Sequence, residues 1–210
     1  MVARHGLREA GRKAVRAARK GIRLREEHVW YELQLAAEAA APALPAGATL
    51  VEASGADVDL LDELPSVSPE AARKLRVRGS RLFLVLEERR PLFACWIHTG
   101  ATPALAAPGG WLPLPDGTVC LEDSVTAPAA RGRGIAPAAW SELAHRLAAE
   151  GAAAMITKVE VVNAASRKAV EKAGFREFAR MRLSRVLGRS TVELEGGSPL
   201  AADLRARLGA

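Results

Sequence analysis

Residues 131–134 read Arg-Gly-Arg-Gly and stand between a strand-like run, TVCLEDSVTA (118–127), and an Ala-rich helical run. A turn from strand into helix is a place for an anion, because the first helical turn leaves backbone N–H groups unpaired and its dipole favours negative charge. Gly132 and Gly134 let the backbone approach a ligand with no side chain between them, and Arg131 and Arg133 can fork onto phosphate oxygens. The pattern suits a pyrophosphate. It is not a Walker loop, since no Gly-Lys-Ser/Thr follows, and it does not complete the dinucleotide fingerprint G-x-G-x-x-G. A single copy inside an ordered pattern also differs from the repetitive Arg-Gly segments that bind RNA.

The elements that must hold this turn are legible. HVWYELQL (28–35) and ATLVEA (48–53) alternate as strands. DVDLLDEL and a run opening at Ser68-Pro69 read as brief helices, the second with an N-cap followed by proline. RLFLVLE and LFACWIH form a hairpin about ERRP, and WLPLPDG is a loop before the strand at 118–127. Ile135, Trp140, Leu143, Ala144 and Leu147 recur at helical spacing over 133–149, with Gly151 as the stop. A strand over 153–162, a helix over 164–172 and a closing pair of strands follow, and PLAADLRARLGA suits a short terminal helix. The expected class is α/β, a mixed sheet with helices on its faces.

The 210 residues carry 49% hydrophobic but only 4% aromatic residues, so the core must be built from Ala, Leu and Val. Cys95 and Cys120 lack metal-ligand spacing and read as buried free thiols; no metal is expected. No apolar run reaches the ~18 residues of a membrane span, and the N-terminus lacks the apolar block of a secretory signal. A cytoplasmic protein is expected. The net charge of +6 is concentrated at the start, where Arg4, Arg8, Arg12, Arg16, Arg19 and Arg23 recur at helical spacing. Residues 1–25 therefore read as a basic amphipathic extension, 26–195 as the folded domain, and 196–210 as a tail or short helix. The extension is either a solvated or docked helix, or a contact for nucleic acid or a membrane surface.

LEDSVTAPAARGRGIA resembles the acetyl-CoA motif of the GNAT superfamily of N-acetyltransferases, Arg/Gln-x-x-Gly-x-Gly/Ala, here Arg131, Gly134 and Ala136. NAASRKAVEKAGF (163–175) resembles the same superfamily's Asn-led helix ending in Lys-x-Gly-Phe. The resemblance covers roughly 48–195 in element order and is specific over 121–175; it does not identify a subfamily. It implies a sheet splayed between the strands at 118–127 and 153–162, with acetyl-CoA or another acyl-CoA as co-substrate. The pantetheine arm would pair with backbone around Val125 and Thr126. The pyrophosphate would rest on the amides of Arg131, Gly132, Arg133, Gly134, Ile135 and Ala136. Asn163 and Ser166 would face the cofactor arm or its nucleotide end, although Asn163 also reads as a plain N-cap. Trp140 reads as core.

Acyl transfer to an amine needs a base, because a Lys-like amine has a pKa of about 10.4. Glu122 is the candidate, read on one strand face with Cys120, Ser124 and Thr126, while Asp123 lies opposite. Its LED segment also resembles that of polyamine acetyltransferases, where the matching glutamate is held to be the base; a solvated or salt-bridged glutamate is the other reading. Many GNAT enzymes place a thiolate-protonating tyrosine seven residues after the helix asparagine, and here that position is Val170. Ser124, a water or backbone N–H groups must then serve. Tyr31 is the only tyrosine, and His98 and Glu160 are read as acceptor-side or merely structural.

The sequence thus predicts an N-acetyltransferase moving an acetyl (or acyl) group directly to a primary amine in a ternary complex. The alternative is an acyl-CoA-binding module without catalysis. The acceptor is a small-molecule or protein amine. A homodimer is open because the superfamily often forms one.

Overall fold

The computed structural model describes residues 23–35, 43–65, 69–187 and 189–209. Most of the proposed basic extension lies outside them. Along the chain run β1 (Arg23–Gln34), β2 (Ala48–Glu52), a 3-10 segment (Ala56–Glu63), α1 (Pro69–Val77), β3 (Arg81–Glu87), β4 (Arg90–Thr99), β5 (Ala101–Pro103) and β6 (Trp111–Pro113). Then come β7 (Thr118–Thr126), α2 (Ile135–Ala149), β8 (Ala154–Glu160), α3 (Ala164–Lys172), β9 (Arg176–Val186), β10 (Arg189–Glu195) and α4 (Pro199–Leu208).

Eight strands make one sheet in the order β10-β9-β1-β8-β7-β4-β3-β2, and β5 pairs with β6 as a separate ribbon. Within the large sheet only β7 and β8 are parallel. Parallel neighbours need a crossover, and α2 supplies it. The β3–β4 hairpin turns through Glu88 and Arg89, both at positive φ (49° and 66°), the mirror-image turn that matches strand twist.

Apolar alternation builds a core on each face. One face of the sheet, with Val29, Tyr31, Phe83, Phe93, Leu121 and Met155, packs under α2 and α3 through Ile135, Trp140, Leu143 and Val170. On the other face, α4 covers Trp30, Cys120 and Ile156 with Ala201, Leu204 and Leu208. The 3-10 segment and α1 cover Leu82, Leu84, Ala94 and Trp96 on that same face.

Two sequence expectations are corrected. β1 begins at Arg23, taking in residues 23–25 that were read as extension; its charged first half pairs backbone with β9, from Arg23↔Val186 onward. A polar strand gives no alternation to read. The segment read as a plain loop at WLPLPDG opens with a strand, β6, which pairs with β5 from Ala101↔Pro113 to Pro103↔Trp111. The 196–210 segment holds a short helix, one of the two readings given for it, and that helix is part of the core, since Ala201, Leu204 and Leu208 are buried. Cys95 and Cys120 are buried free thiols, as expected.

Candidate active site

β7 and β8 pair from Thr118↔Ala154 to Leu121↔Thr157, and there the pairing ends although β7 continues to Thr126 and β8 to Glu160. This is the expected splay. A cavity of about 990 Å³ opens along it, walled by the ends of β7 and β8, the loop into α2, and α3.

The loop's geometry follows from its glycines. Gly132 and Gly134 sit at φ 79° and 75°, a region that costs other L-residues roughly 1 kcal/mol or more. A Cβ at either would meet nothing within 4 Å, so the space before them is open. Gly134 is the N-cap of α2 without a side-chain cap, and among the described residues none of the amides of Gly132, Arg133, Gly134, Ile135 and Ala136 has a backbone acceptor. Orphan donors at a helix start, open to a cavity, fit a pyrophosphate. Arg131 lies at the cavity, its Nε donating to the Thr126 carbonyl at 3.4 Å. Arg133 departs from expectation: its guanidinium pairs with Glu87 of β3 at 2.7 Å and does not line the cavity.

Val125, Thr126, Asn163 and Ser166 also line the cavity. Asn163 caps α3, its Oδ1 accepting from the Ser166 amide at 3.1 Å. Val170 is buried beneath, with no proton to give. Tyr31 is no substitute, for it is buried in β1 and its hydroxyl donates to Glu171 Oε1 at 3.0 Å.

The expected strand face of β7 is wrong beyond Glu122. Ala94 opposes Val125 while Trp96 opposes Glu122, so β7 carries one extra residue, and Asp123 sits there at φ 47°. A β-bulge inverts the alternation after it. Glu122 stays with Cys120 on the α4 face, whereas Ser124 and Thr126 turn to the α2 face. Trp140, in the core as expected, confirms the inversion by donating Nε1–H to Ser124 Oγ at 3.2 Å.

Glu122 is nearly enclosed, with 11% of its side chain exposed. Three donors converge on its Oε1: Lys158 Nζ in an ion pair, Cys120 Sγ at 3.3 Å and Thr102 Oγ1 at 3.4 Å. Burial raises the Glu122 carboxyl above the ordinary carboxylate range, opposed by Lys158. Burial disfavours the Lys158 ammonium, but Glu122, Cys120 and Asp123 together outweigh it and its pKa rises. Burial and Glu122 together push the Cys120 thiol far up, so it is no nucleophile.

The chemistry-bearing residues that sequence reasoning missed are Lys158, Thr102 and His28. His28 of β1 lines the cavity with its Nδ1 unpartnered, and burial, followed by Lys158, lowers its pKa. The only sequence signal for Lys158 was a cation inside an apolar strand. Glu160 lies at the cavity, but His98 does not. It is buried between Trp96 and Trp111, with Nδ1 on Ser80 Oγ at 2.8 Å. Among the described residues, no cluster of His, Cys, Asp and Glu could hold a metal, and no helix is long and apolar enough to cross a membrane.

The site thus combines a splayed sheet, a helix start with unpaired amides and a nearly enclosed carboxylate. The chain belongs to the acetyltransferase (GNAT) family, whose model matches residues 61–175. Solved structures share the fold. A GNAT-family protein from Novosphingobium aromaticivorans aligns with TM-score 0.53 and 17% identity over 83% of this chain and 66% of its own. A GCN5-related N-acetyltransferase from Sphaerobacter thermophilus gives 0.54 and 15% over 90% and 58%. A GNAT acetyltransferase from Colwellia psychrerythraea gives 0.52 and 19% over 82% and 56%. The chain therefore spans somewhat over half to about two thirds of the length of these structures. No curated protein matches it.

Proposed function

We propose that this protein transfers an acetyl or other acyl group from acyl-CoA directly to a primary amine. The observation that carries the reading is the convergence, in one cavity, of the unpaired loop amides and the Glu122 carboxyl. The thioester supplies the activated acyl carbonyl. The amides of Gly132 to Ala136 and Arg131 bind the phosphates, and the unpaired edge of β7 at Val125 and Thr126 binds the pantetheine arm. Because the three donors are gathered on Oε1 of Glu122, its Oε2 is the oxygen left for the amine proton. Raised proton affinity makes this buried carboxylate a stronger base than an exposed one.

The amine nitrogen then bonds to the acyl carbon, the C–S bond breaks, and the thiolate takes up a proton. Ser124 serves that last step as a hydrogen-bond donor to the departing sulfur. Its oxygen accepts from Trp140, so its own O–H is available to the cavity. The inert Cys120 favours direct transfer over an acyl-cysteine intermediate.

The acceptor is a small-molecule or protein amine. Val170, in place of the usual tyrosine, favours the second reading, a binding module without turnover. Release of CoA from acetyl-CoA over a panel of primary amines, with wild type and Glu122→Gln, separates them. The Gln variant should bind acetyl-CoA normally and turn over ~100-fold or more slowly. Undiminished turnover in that variant contradicts the base assignment, and binding without turnover on any amine favours the module.

A further inference from the structure

Lys158 is a nearly enclosed cation one residue past the last paired position of the splay, with 12% of its side chain exposed. A lysine there carries a large desolvation cost unless its ammonium is well partnered. It has three partners. It is ion-paired with Glu122, it donates to the Pro103 carbonyl at 2.9 Å, and it lies 5.5 Å from the centre of the Trp30 ring. These belong to β7, β5 and β1, so one side chain ties the splay to the β5–β6 ribbon and to the central strand.

We propose that Lys158 is a positioning residue for acyl transfer: its ammonium holds Glu122 as an oriented carboxylate at the splay and fixes it against the β5–β6 ribbon. The inference rests on Glu122 being the base. A carboxyl this buried would otherwise keep its proton near neutral pH and could not take one from an amine. Pairing through Oε1 alone also fixes which oxygen remains for the substrate.

The surroundings offer no replacement. From β7 the groups facing Glu122 are the Cys120 thiol and Asp123, neither of them cationic. From β5 there is the neutral hydroxyl of Thr102, and from β4 Trp96, opposite Glu122 in register. His98 of β4 and His28 of β1 are both driven toward the neutral form, by burial first and then by Lys158 itself. Glu160, farther along β8 at the cavity, adds negative charge. Among the described residues Lys158 is the only cation ion-paired with Glu122, although Arg131, Lys168 and Lys172 also line the cavity.

The test reads charge and turnover separately. The Glu122 side-chain carboxyl is followed by ¹³C NMR against pH in the full chain, its signal assigned by loss in Glu122→Gln. In Lys158→Gln, which keeps an N–H donor but carries no charge, the midpoint should rise by ~1–3 units. The acid limb of kcat/KM should rise with it, cutting activity at neutral pH at least ~10-fold and recovering at higher pH, with acetyl-CoA affinity unchanged. Lys158→Arg should keep both near wild type.

An unmoved midpoint in Lys158→Gln overturns the role of Lys158. So does an Arg variant displaced as far as the Gln variant, and this comparison stands if Lys158→Met is needed because Gln does not fold. The carboxyl midpoint needs no turnover. Full activity in Glu122→Gln would therefore overturn the base reading visibly and on its own.

Discussion

His98 makes the stability of this fold depend on pH in a way that can be calculated. It is 1% exposed, held between Trp96 and Trp111, with Nδ1 on Ser80 Oγ and Nε2 without a partner. Burial, followed by the charge of Lys158, pushes its pKa from 6.5 to about 4. The neutral ring is favoured in the fold, so its contribution is fully present above the unfolded value and is lost as pH falls toward the folded value. The full span is roughly 3 kcal/mol, at about 1.4 kcal/mol per unit, and between about pH 7 and pH 4.5 the loss is ~2.4 kcal/mol. Urea unfolding at those two pH values, on wild type and His98→Gln, isolates the effect. His28, also depressed, acts in both proteins and cancels in the difference. The variant should be less stable at neutral pH yet lose ~2.4 kcal/mol less on acidification. An equal loss in both would refute the reasoning.

Gly196→Ala should destabilise the fold by ~1–3 kcal/mol, because the added Cβ would meet the Phe178 carbonyl at 2.6 Å and Ala201 Cβ at 2.7 Å. Calorimetry should show Tm lowered by several degrees; an unchanged Tm would mean that α4 slides freely on β9. Ser124→Ala should lower kcat by ~10-fold or more while leaving acetyl-CoA affinity intact, since a hydrogen bond to a developing charge contributes ~1.5–3 kcal/mol. Equal rates would remove Ser124 from the chemistry.

What the sequence revealed depended on whether a feature leaves a periodic or local mark. The apolar spacing of α2, the alternation of β3 and β4, and the glycines at 132 and 134 all do so. The Asp123 bulge did not, since the extra residue is not a glycine. A positive-φ Asp is common enough that an acidic residue within a strand was the only clue. That one residue moved Ser124 and Thr126 to the opposite face from Glu122. Arg133 looked equivalent to Arg131 until β3 brought Glu87 beside it. Lys158 and Glu122 are 36 residues apart, and only the parallel register of β7 and β8 joins them.

Acyl transfer by this protein requires acyl-CoA to bind in the splay. Calorimetric titration of acetyl-CoA into wild type and a Gly132→Asp, Gly134→Asp double variant tests it most directly. Carboxylates placed ~4 Å from a phosphate would repel it by a few kcal/mol at the effective dielectric of a protein surface. The open space before both glycines gives the side chains room, at roughly 1 kcal/mol or more of backbone strain each, so folding of the variant is checked first. Saturable binding in wild type, weakened by at least ~100-fold in a folded variant, is the predicted result. No binding by folded wild type, or equal binding by both, would contradict it.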